Sequence, residues 1–230
     1  MGQSTTTLAT ALTTVRTFLD EPANPAVNFW SDSQLTAYMN IGCAEIQRRS
    51  EAIQKLGTVL VTSGQQTYTA PADVLRIYRV QYQPLGIQQI YPLERRGYNE
   101  MDEVWGLNQA FQGAWPGYFT MWGAPPNITL TLYPIPANNG TLSVFYYPTI
   151  VPVAAPTDTL DVLPEWESLV YDYTVYRARR QDADPRSKDD LDLFMENLSN
   201  MIEMTRAFSD QGNFITHGTA NVPAWLAGEM

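Results

Sequence analysis

The sequence predicts an α+β fold in which a four-helix bundle frame holds an inserted antiparallel β domain and is followed by an extended C-terminal tail. Three observations predict this arrangement. Apolar residues recur every three or four positions near both ends of the chain, alternate with polar residues in the middle, and lose their periodicity after residue 208. The predicted parts are an N-terminal helical pair (1–56), the β insertion (57–157), a C-terminal helical hairpin that completes the bundle (158–208) and a docking tail (209–230). With 230 residues and 44% hydrophobic content, the chain can bury a core.

The predicted C-terminal hairpin carries one apolar stripe along two antiparallel helices. Steps of three and four residues keep the members of such a stripe on one helix face. The stripe consists of Trp166, Leu169, Val170, Tyr173 and Tyr176, followed by Leu191, Phe194, Leu198, Met201, Thr205 and Phe208. Pro164 suits the first turn of a helix, whereas Pro185 cannot continue one from upstream, so the chain is expected to turn before the second helix.

Two further helices are predicted in the first 56 residues. One covers residues 4–20, with an apolar face formed by Leu8, Leu12, Val15 and Leu19. The other begins near Ser31, where Ser31 and Gln34 have the spacing of a capping box. Its expected buried face contains Leu35, Tyr38, Met39, Gly42, Ile46 and Ile53. Together with the hairpin, these helices would complete the four-helix frame.

Strand periodicity replaces helical periodicity from Gly57 onward. The predicted strands cover residues 58–62, 67–69, 74–83, 87–93, 118–122, 128–133 and 141–147, with a short helix possible in 94–105. Within the third strand, Tyr78, Val80 and Tyr82 are expected on one face. The turn signal Asn139-Gly140 lies between the last two strands, which are therefore predicted to pair as a hairpin.

The chain is acidic, and its charge is concentrated in the predicted C-terminal helices. The formal net charge is −10. Between Asp158 and Asp210 lie thirteen Asp or Glu residues but only six Arg or Lys residues. This balance argues against tight, sequence-independent binding of nucleic acid, because such binding depends on basic side chains that neutralise phosphates.

The sequence contains no signal for export or for membrane insertion. Its first residues lack the positive start and apolar run of a signal peptide, and no stretch has the length of a membrane span. The single cysteine, Cys43, excludes an intrachain disulfide and is expected to be a small buried hydrophobe rather than a reactive thiol. We expect a soluble protein that is made in the cytoplasm and does not bind membranes.

The sequence also lacks the residue patterns of common catalytic and cofactor sites. His217 is the only histidine, and neither a glycine-rich phosphate loop nor a paired-cysteine metal motif is present. The carboxylates that cluster before the third helix are Asp158, Asp161, Glu165 and Glu167; a catalytic pair among them is the alternative, but we favour capping and helix-dipole interactions as their role. We therefore predict no catalytic residue, no metal site and no cofactor.

An aromatic group in the predicted β domain is the first candidate for an interaction surface. Its members are Trp105, Trp115, Tyr118, Phe119 and Trp122. We favour packing within the β domain or between subunits, since Trp and Tyr are enriched in both settings. The alternative is a surface that binds sugars, which would make the chain a carbohydrate-binding or carbohydrate-active protein.

The predicted tail is the second candidate. It lacks periodicity but contains the large apolar residues Phe214, Ile215, Val222, Trp225 and Leu226. Disordered termini are normally poor in such residues, so we expect the tail to bind another polypeptide.

Three groups of segments resemble the head-to-tail adaptor (connector) proteins of tailed bacteriophages. The first is Trp30-Ser31-Asp32-Ser33-Gln34-Leu35 followed by Tyr38, Asn40 and Glu45-Ile46. The second is Leu132-Tyr133-Pro134-Ile135-Pro136 with Val144-Phe145-Tyr146-Tyr147, and the third is Asp161-Val162-Leu163-Pro164-Glu165-Trp166 leading into Leu169, Tyr173 and Arg177-Ala178. The resemblance spans most of residues 30–205, and the order of the segments is its strongest feature.

The resemblance implies a structural, non-enzymatic ring subunit, commonly present in twelve copies, at the virion neck (the head-tail junction). Its implied partners are other copies of itself, the portal protein and a downstream tail or nozzle protein, with DNA passing non-specifically through the lumen. The apolar tail residues would then bind the portal or a neighbouring subunit. A tail-completion or tail-terminator protein is the alternative among virion proteins.

Overall fold

The computed structural model describes residues 4–21, 28–105 and 111–220. The chain divides into two compact units: Met1–Ala52 with Val151–Met230, called the helical unit below, and Ile53–Ile150, called the β unit. The described helices are α1 (Leu8–Phe18), α2 (Asp32–Ser50), α3 (Tyr98–Trp105), α4 (Glu167–Gln181) and α5 (Ser187–Ala220). The described strands are β1 (Lys55–Val61), β2 (Thr67–Thr69), β3 (Val74–Pro84), β4 (Tyr91–Arg95), β5 (Gln112–Gly113), β6 (Tyr118–Trp122), β7 (Thr129–Tyr133), β8 (Ile135–Pro136) and β9 (Gly140–Pro148). Among the described helices, none combines the length and apolarity needed to cross a bilayer.

The starts of α1 and α2 follow from their capping residues. The side chain of Thr7 accepts a hydrogen bond from the backbone N–H of Thr10 at the start of α1. At α2, the side chain of Ser31 accepts from the N–H of Gln34, and the side chain of Gln34 accepts from the N–H of Ser31 at 3.1 Å. The predicted capping box is therefore confirmed.

The predicted four-helix bundle frame is wrong. The described fold is mixed α and β, but a seven-stranded sheet dominates it, accompanied by five helices in the described ranges. Within the helical unit, α4 contacts α1, α2 and α5. Buried residues occur around most of its circumference, at Leu169, Val170, Thr174, Val175, Tyr176 and Ala178. The single-stripe prediction failed because α4 is a central helix, whereas each helix of a bundle buries one face against a shared core.

The β unit is built on a sheet whose two edge strands approach each other. The strand order is β1-β9-β3-β4-β6-β7-β2, and β1 contacts β2. All adjacent pairs are antiparallel except β4 and β6, which are parallel. Strands β5 and β8 form a separate parallel pair. One face of the large sheet supplies a hydrophobic core that includes Val80, Tyr82, Leu130, Leu132, Leu142 and Val144, all fully buried.

The hairpin predicted for residues 128–133 and 141–147 is wrong. Strand β7 pairs with β6 and β2, whereas β9 pairs with β1 and β3. Between them, Pro134 and Pro136 have no N–H groups to donate, so the linker cannot continue a ladder from β7 into a tight turn. Asn139 serves a different connection, since its backbone carbonyl accepts from the N–H of Leu85 at 2.8 Å.

Burial alternates regularly along β9, whereas the alternation predicted for β3 fails at one position. In β9, Leu142 and Val144 are fully buried and Tyr146 is 4% exposed. In β3, Val80 and Tyr82 are fully buried as expected, but Tyr78 is 43% exposed. A register shift between residues 77 and 79 reverses the direction of the side chains at this point, because a bulge places an extra residue in one strand.

Helix α5 is longer than the second helix predicted for the C-terminal hairpin. Its backbone remains helical past residue 208 as far as Ala220, the last described residue, so residues 209–220 of the predicted tail are helical rather than extended. Residues 221–230 lie outside the described residues. Since α4 has 15 residues and α5 has 34, α5 extends well beyond α4 at about 1.5 Å per residue.

The single cysteine is enclosed by the helical unit. Cys43 on α2 is 2% exposed, and burial, assisted by the negative charge of Asp161, raises the pKa of its thiol to about 12. Because the thiolate is the reactive form, we predict that Ellman's reagent modifies the folded protein at pH 8 at least about a thousandfold more slowly than the urea-unfolded chain. Rapid stoichiometric modification of the folded protein would contradict the described packing of α2.

Candidate functional site

A charged crevice lies on the described part of the helical unit. Its lining comes from three helices and consists of Phe18, Asp172, Val175, Arg179, Asp190 and Leu193. The positions from α4 are spaced by three and four residues, which places them on one helix face. This spacing can be read from the sequence. The apolar stripe predicted for α4 lies on a different face of the helix, so these positions were not predicted as a site.

Arg179 links the three helices that line the crevice. Its Nη1 donates to both carboxylate oxygens of Asp190, at 2.8 and 3.0 Å, and its Nη2 donates to the backbone carbonyl of Phe18 at 3.1 Å. The side chains of Arg179 and Asp190 are 17% and 18% exposed. Because both side chains are largely shielded from water, this charge-assisted ion pair fixes the local geometry of the crevice.

Asp172 has a different environment from Asp190. Its Oδ2 accepts a hydrogen bond from Nδ2 of Asn197 at 3.4 Å, and no Lys or Arg side chain in the described part of the chain forms an ion pair with it. Burial raises the pKa of Asp172, and the negative charge of Asp190 raises it further, against the effect of the Asn197 hydrogen bond. With two carboxylates and one guanidinium, the crevice is suited to accept a cation.

The structure does not bring the predicted aromatic group together on one surface. Phe119 is 3% exposed and belongs to the core of the sheet, whereas Trp122 on the same strand is 71% exposed. Trp115 stacks on Tyr91 with ring centroids 5.0 Å apart and an interplanar angle of 14°. Trp105 is the last residue of α3, and its side chain lies outside the described residues.

Two of these aromatic rings already have a neighbour over one face. Tyr91 covers a face of Trp115, and the guanidinium carbon of Arg96 lies 5.5 Å from the centre of the Tyr118 ring. A sugar-binding surface requires open aromatic faces, and Trp122, beside Tyr98 at 6.2 Å, is the most exposed of the rings that the structure describes in this group. Both the packing interpretation and the sugar-binding alternative remain predictions.

A second apolar surface of the β unit escapes the sequence predictions. We call it the outer β face; it consists of Leu56 and Leu60 (58% and 80% exposed), Tyr78, and the half-buried Phe145 and Tyr147. Leu56 lies opposite Phe145 in the ladder between β1 and β9. Its signal in the sequence is that β1 places apolar residues on both faces of the strand, which a strand with one solvated face rarely does.

The predicted tail residues fall into two groups. Phe214 and Ile215 lie on the helical backbone of α5, and their side chains are outside the description. Val222, Trp225 and Leu226 belong to residues 221–230, which are not described. His217 lies on the same part of α5 as Phe214. Among the described side chains, no group of three or more His, Cys, Asp and Glu residues is arranged to hold a metal ion.

Comparisons with known proteins point to one family. The family model described as SU10 adaptor protein matches residues 6–215, which is most of both units. No curated protein matches the sequence. One solved structure, the neck of an empty GTA particle computed with C6 symmetry, contains a chain that aligns over 77% of this chain and 83% of that chain, with 14% identity and a TM-score of 0.29. At this TM-score the structural likeness carries no functional conclusion.

Proposed function

Because the chain belongs to the SU10 adaptor protein family, we propose that its copies form a ring between the portal and the tail of the virion. The chain is a bacteriophage head-to-tail adaptor, a structural protein of the virion neck. The match over residues 6–215 is the observation that carries the proposal. The ring would contain about twelve copies, would have no enzymatic activity, and would surround the path of the DNA.

The distribution of charge supports a role beside DNA that does not involve gripping it. Residues 53–150 contain five Asp or Glu and five Lys or Arg, so the β unit is formally neutral and the helical unit carries the whole net charge of −10. Exposed carboxylates follow α4 and α5, at Asp182, Asp189, Asp192, Glu196 and Glu203. A lumen lined by these helices would repel phosphates and let DNA slide, whereas a basic lining would retain it.

The outer β face supports contacts between copies in the proposed ring. Neighbours in a cyclic ring meet through two different surfaces, so every subunit needs two complementary patches. Leu60 is 80% exposed and Leu56 58%, and exposed apolar patches to which such side chains belong often mark interaction surfaces. Burial of this face by a neighbouring copy or by a downstream tail protein would remove that apolar area from water.

The C-terminal part of the chain is the proposed portal-binding element. Helix α5 has 34 residues against 15 in α4 and continues to Ala220, so its C-terminal part extends beyond α4. The apolar residues Phe214, Ile215, Val222, Trp225 and Leu226 lie in this part or after it, and tryptophan is one of the residue types enriched in binding hot spots. Portal is proposed as their partner because an adaptor must contact it directly.

Imaging of intact virions tests the proposed assembly. We expect a ring of this chain in the neck, in contact with portal on one side and tail on the other, and we expect particles that lack the chain to remain tailless. Mass spectrometry of purified necks would show whether this chain is present in them. A neck that contains no copy of this chain, or tailed particles assembled without it, would overturn the proposal.

A further inference from the structure

The charged crevice of the helical unit has one carboxylate in excess. Arg179 donates to both carboxylate oxygens of Asp190. Among the described side chains, only the Asn197 amide donates a hydrogen bond to Asp172. Two exposed apolar residues flank the charges: Phe18 is 49% exposed and Leu193 is 51% exposed. A basic side chain fits such a site, because its aliphatic stem packs on apolar walls while its cationic head reaches the carboxylate.

The β unit offers a matching arginine. Arg95 is exposed at the end of β4, and no carboxylate in the described part of the chain pairs with it. Its neighbour Arg96 is committed, since it forms an ion pair with Glu94 at 2.7 Å and lies over the ring of Tyr118. Arg95 thus provides a cationic side chain that can pair with Asp172, the second carboxylate of the crevice.

The charges of the two units favour a contact between different copies. Two helical units repel each other, because that unit carries the net charge of −10, whereas the β unit is formally neutral and contains exposed arginines. A contact of helical unit against β unit is therefore the arrangement that electrostatics favours between copies. It is also the head-to-tail arrangement that a closed ring requires.

We propose that Arg95 of one copy enters the crevice of the neighbouring copy and pairs there with Asp172. The inference rests on the proposed ring, and it specifies one contact that joins adjacent subunits. The guanidinium would lie between Phe18 and Leu193 and would donate to the carboxylate of Asp172, with Arg179 held away by Asp190. The pair fixes the register of neighbours, since a misplaced copy would leave both charges without a partner.

Removal of the Asp172 charge is expected to stabilise the isolated copy but to weaken the contact between copies. Its pKa is raised in the folded state, so its protonated form is favoured by folding, and the stability that this provides is lost as the pH rises through the folded pKa. The charged groups that face it are Asp190 and Arg179. Asp172→Asn should therefore raise the unfolding midpoint of the isolated copy at neutral pH while weakening assembly.

Charge reversal tests the pair directly. Mass photometry would measure assembly of the purified chain, alone and on portal-bearing tailless capsids, for the wild type, Asp172→Lys, Arg95→Glu and the double variant. We expect each single reversal to weaken assembly at least about tenfold and the double variant to recover most of the loss. Lys188→Glu changes an exposed charge outside the crevice and should assemble as the wild type does. Circular dichroism checks that each variant is folded.

The possible outcomes separate the inference from the proposed ring. If the wild type assembles and the single reversals or Asp172→Asn assemble equally well, the pair is refuted and the ring stands. If the single reversals weaken assembly but the double variant recovers nothing, Arg95 is not the partner of Asp172. If the wild type forms no ring in either setting, the proposed ring fails and the inference fails with it.

Discussion

A chain that ends at Phe208 is expected to stay folded and to bind portal-bearing capsids at least about thirtyfold more weakly than the full chain, the effect of losing one interface hot spot. The deeply buried described positions of α5, Phe194 and Leu198, lie before the cut. The cut removes Phe214, Ile215, Val222, Trp225 and Leu226, the proposed portal-binding residues, whose side chains lie outside the described residues. Folding and portal binding should therefore separate.

A second truncation and two point variants locate the binding element. A chain that ends at Ala220 keeps all of α5 and loses only residues 221–230. If Trp225 and Leu226 carry the contact, this chain and the variants Trp225→Ala and Leu226→Ala should lose most of the affinity, whereas Glu229→Ala should not. Cosedimentation with tailless capsids measures the affinity, and circular dichroism measures folding. Undiminished binding by the chain that ends at Phe208 would refute portal binding through the C-terminus.

Local elements with strong periodicity can be predicted from this sequence. The strand predicted at residues 118–122 corresponds to β6 (Tyr118–Trp122), and the capping box of Ser31 and Gln34 marks the start of α2. Both signals arise from neighbouring residues, so they require no knowledge of the rest of the fold. The C-terminal part of α5 is a counterexample: Gly212 and Gly218 are poor helix formers, but the backbone is helical as far as Ala220.

Strand pairing is where sequence reasoning failed. Asn139-Gly140 has the composition of a hairpin turn, yet β9 pairs with β1 and β3, which come much earlier in the chain. A local turn signal contains no information about such distant partners, which depend on how the whole sheet buries its core. The exposed Tyr78 has a similar cause, because a bulge in β3 cannot be read from alternation alone.

The sequence identified some residues of the candidate surfaces but not how they group in space, because that grouping also depends on tertiary contacts. Aromatic composition singled out Trp115 and Trp122, but only the structure separates them from the buried Phe119. Asp172 and Arg179 lie on one face of α4, but their meeting with Asp190 depends on the packing of α5. The uneven distribution of charge, by contrast, can be read from the sequence. The division into two units gives a formal net charge of −10 for the helical unit and zero for the β unit. Function here depends on surfaces, and surfaces depend on tertiary contacts that periodicity does not specify.

The largest effect on stability is expected for Leu142→Ala in β9. Leu142 is fully buried and lies in register with Val59 of β1 on one side and Tyr82 of β3 on the other. Truncation to alanine removes apolar contacts and leaves a cavity that the close-packed sheet core cannot fill. The expected loss is about 2–5 kcal/mol in the free energy of unfolding of the β unit, the range for buried leucines. Urea unfolding followed by circular dichroism and tryptophan fluorescence measures it.

Leu60→Ala is the matched control, because it makes the same chemical change on the neighbouring strand. Leu60 is 80% exposed and lies opposite Thr141, the residue next to Leu142. Its replacement should change the free energy of unfolding by no more than about 0.5 kcal/mol. A loss below about 1 kcal/mol for Leu142→Ala, or similar losses for both variants, would contradict the assignment of the buried and outer faces of the sheet. The contrast also has a functional consequence: a leucine that contributes little to the isolated fold can remain on the outer β face for contact with another subunit.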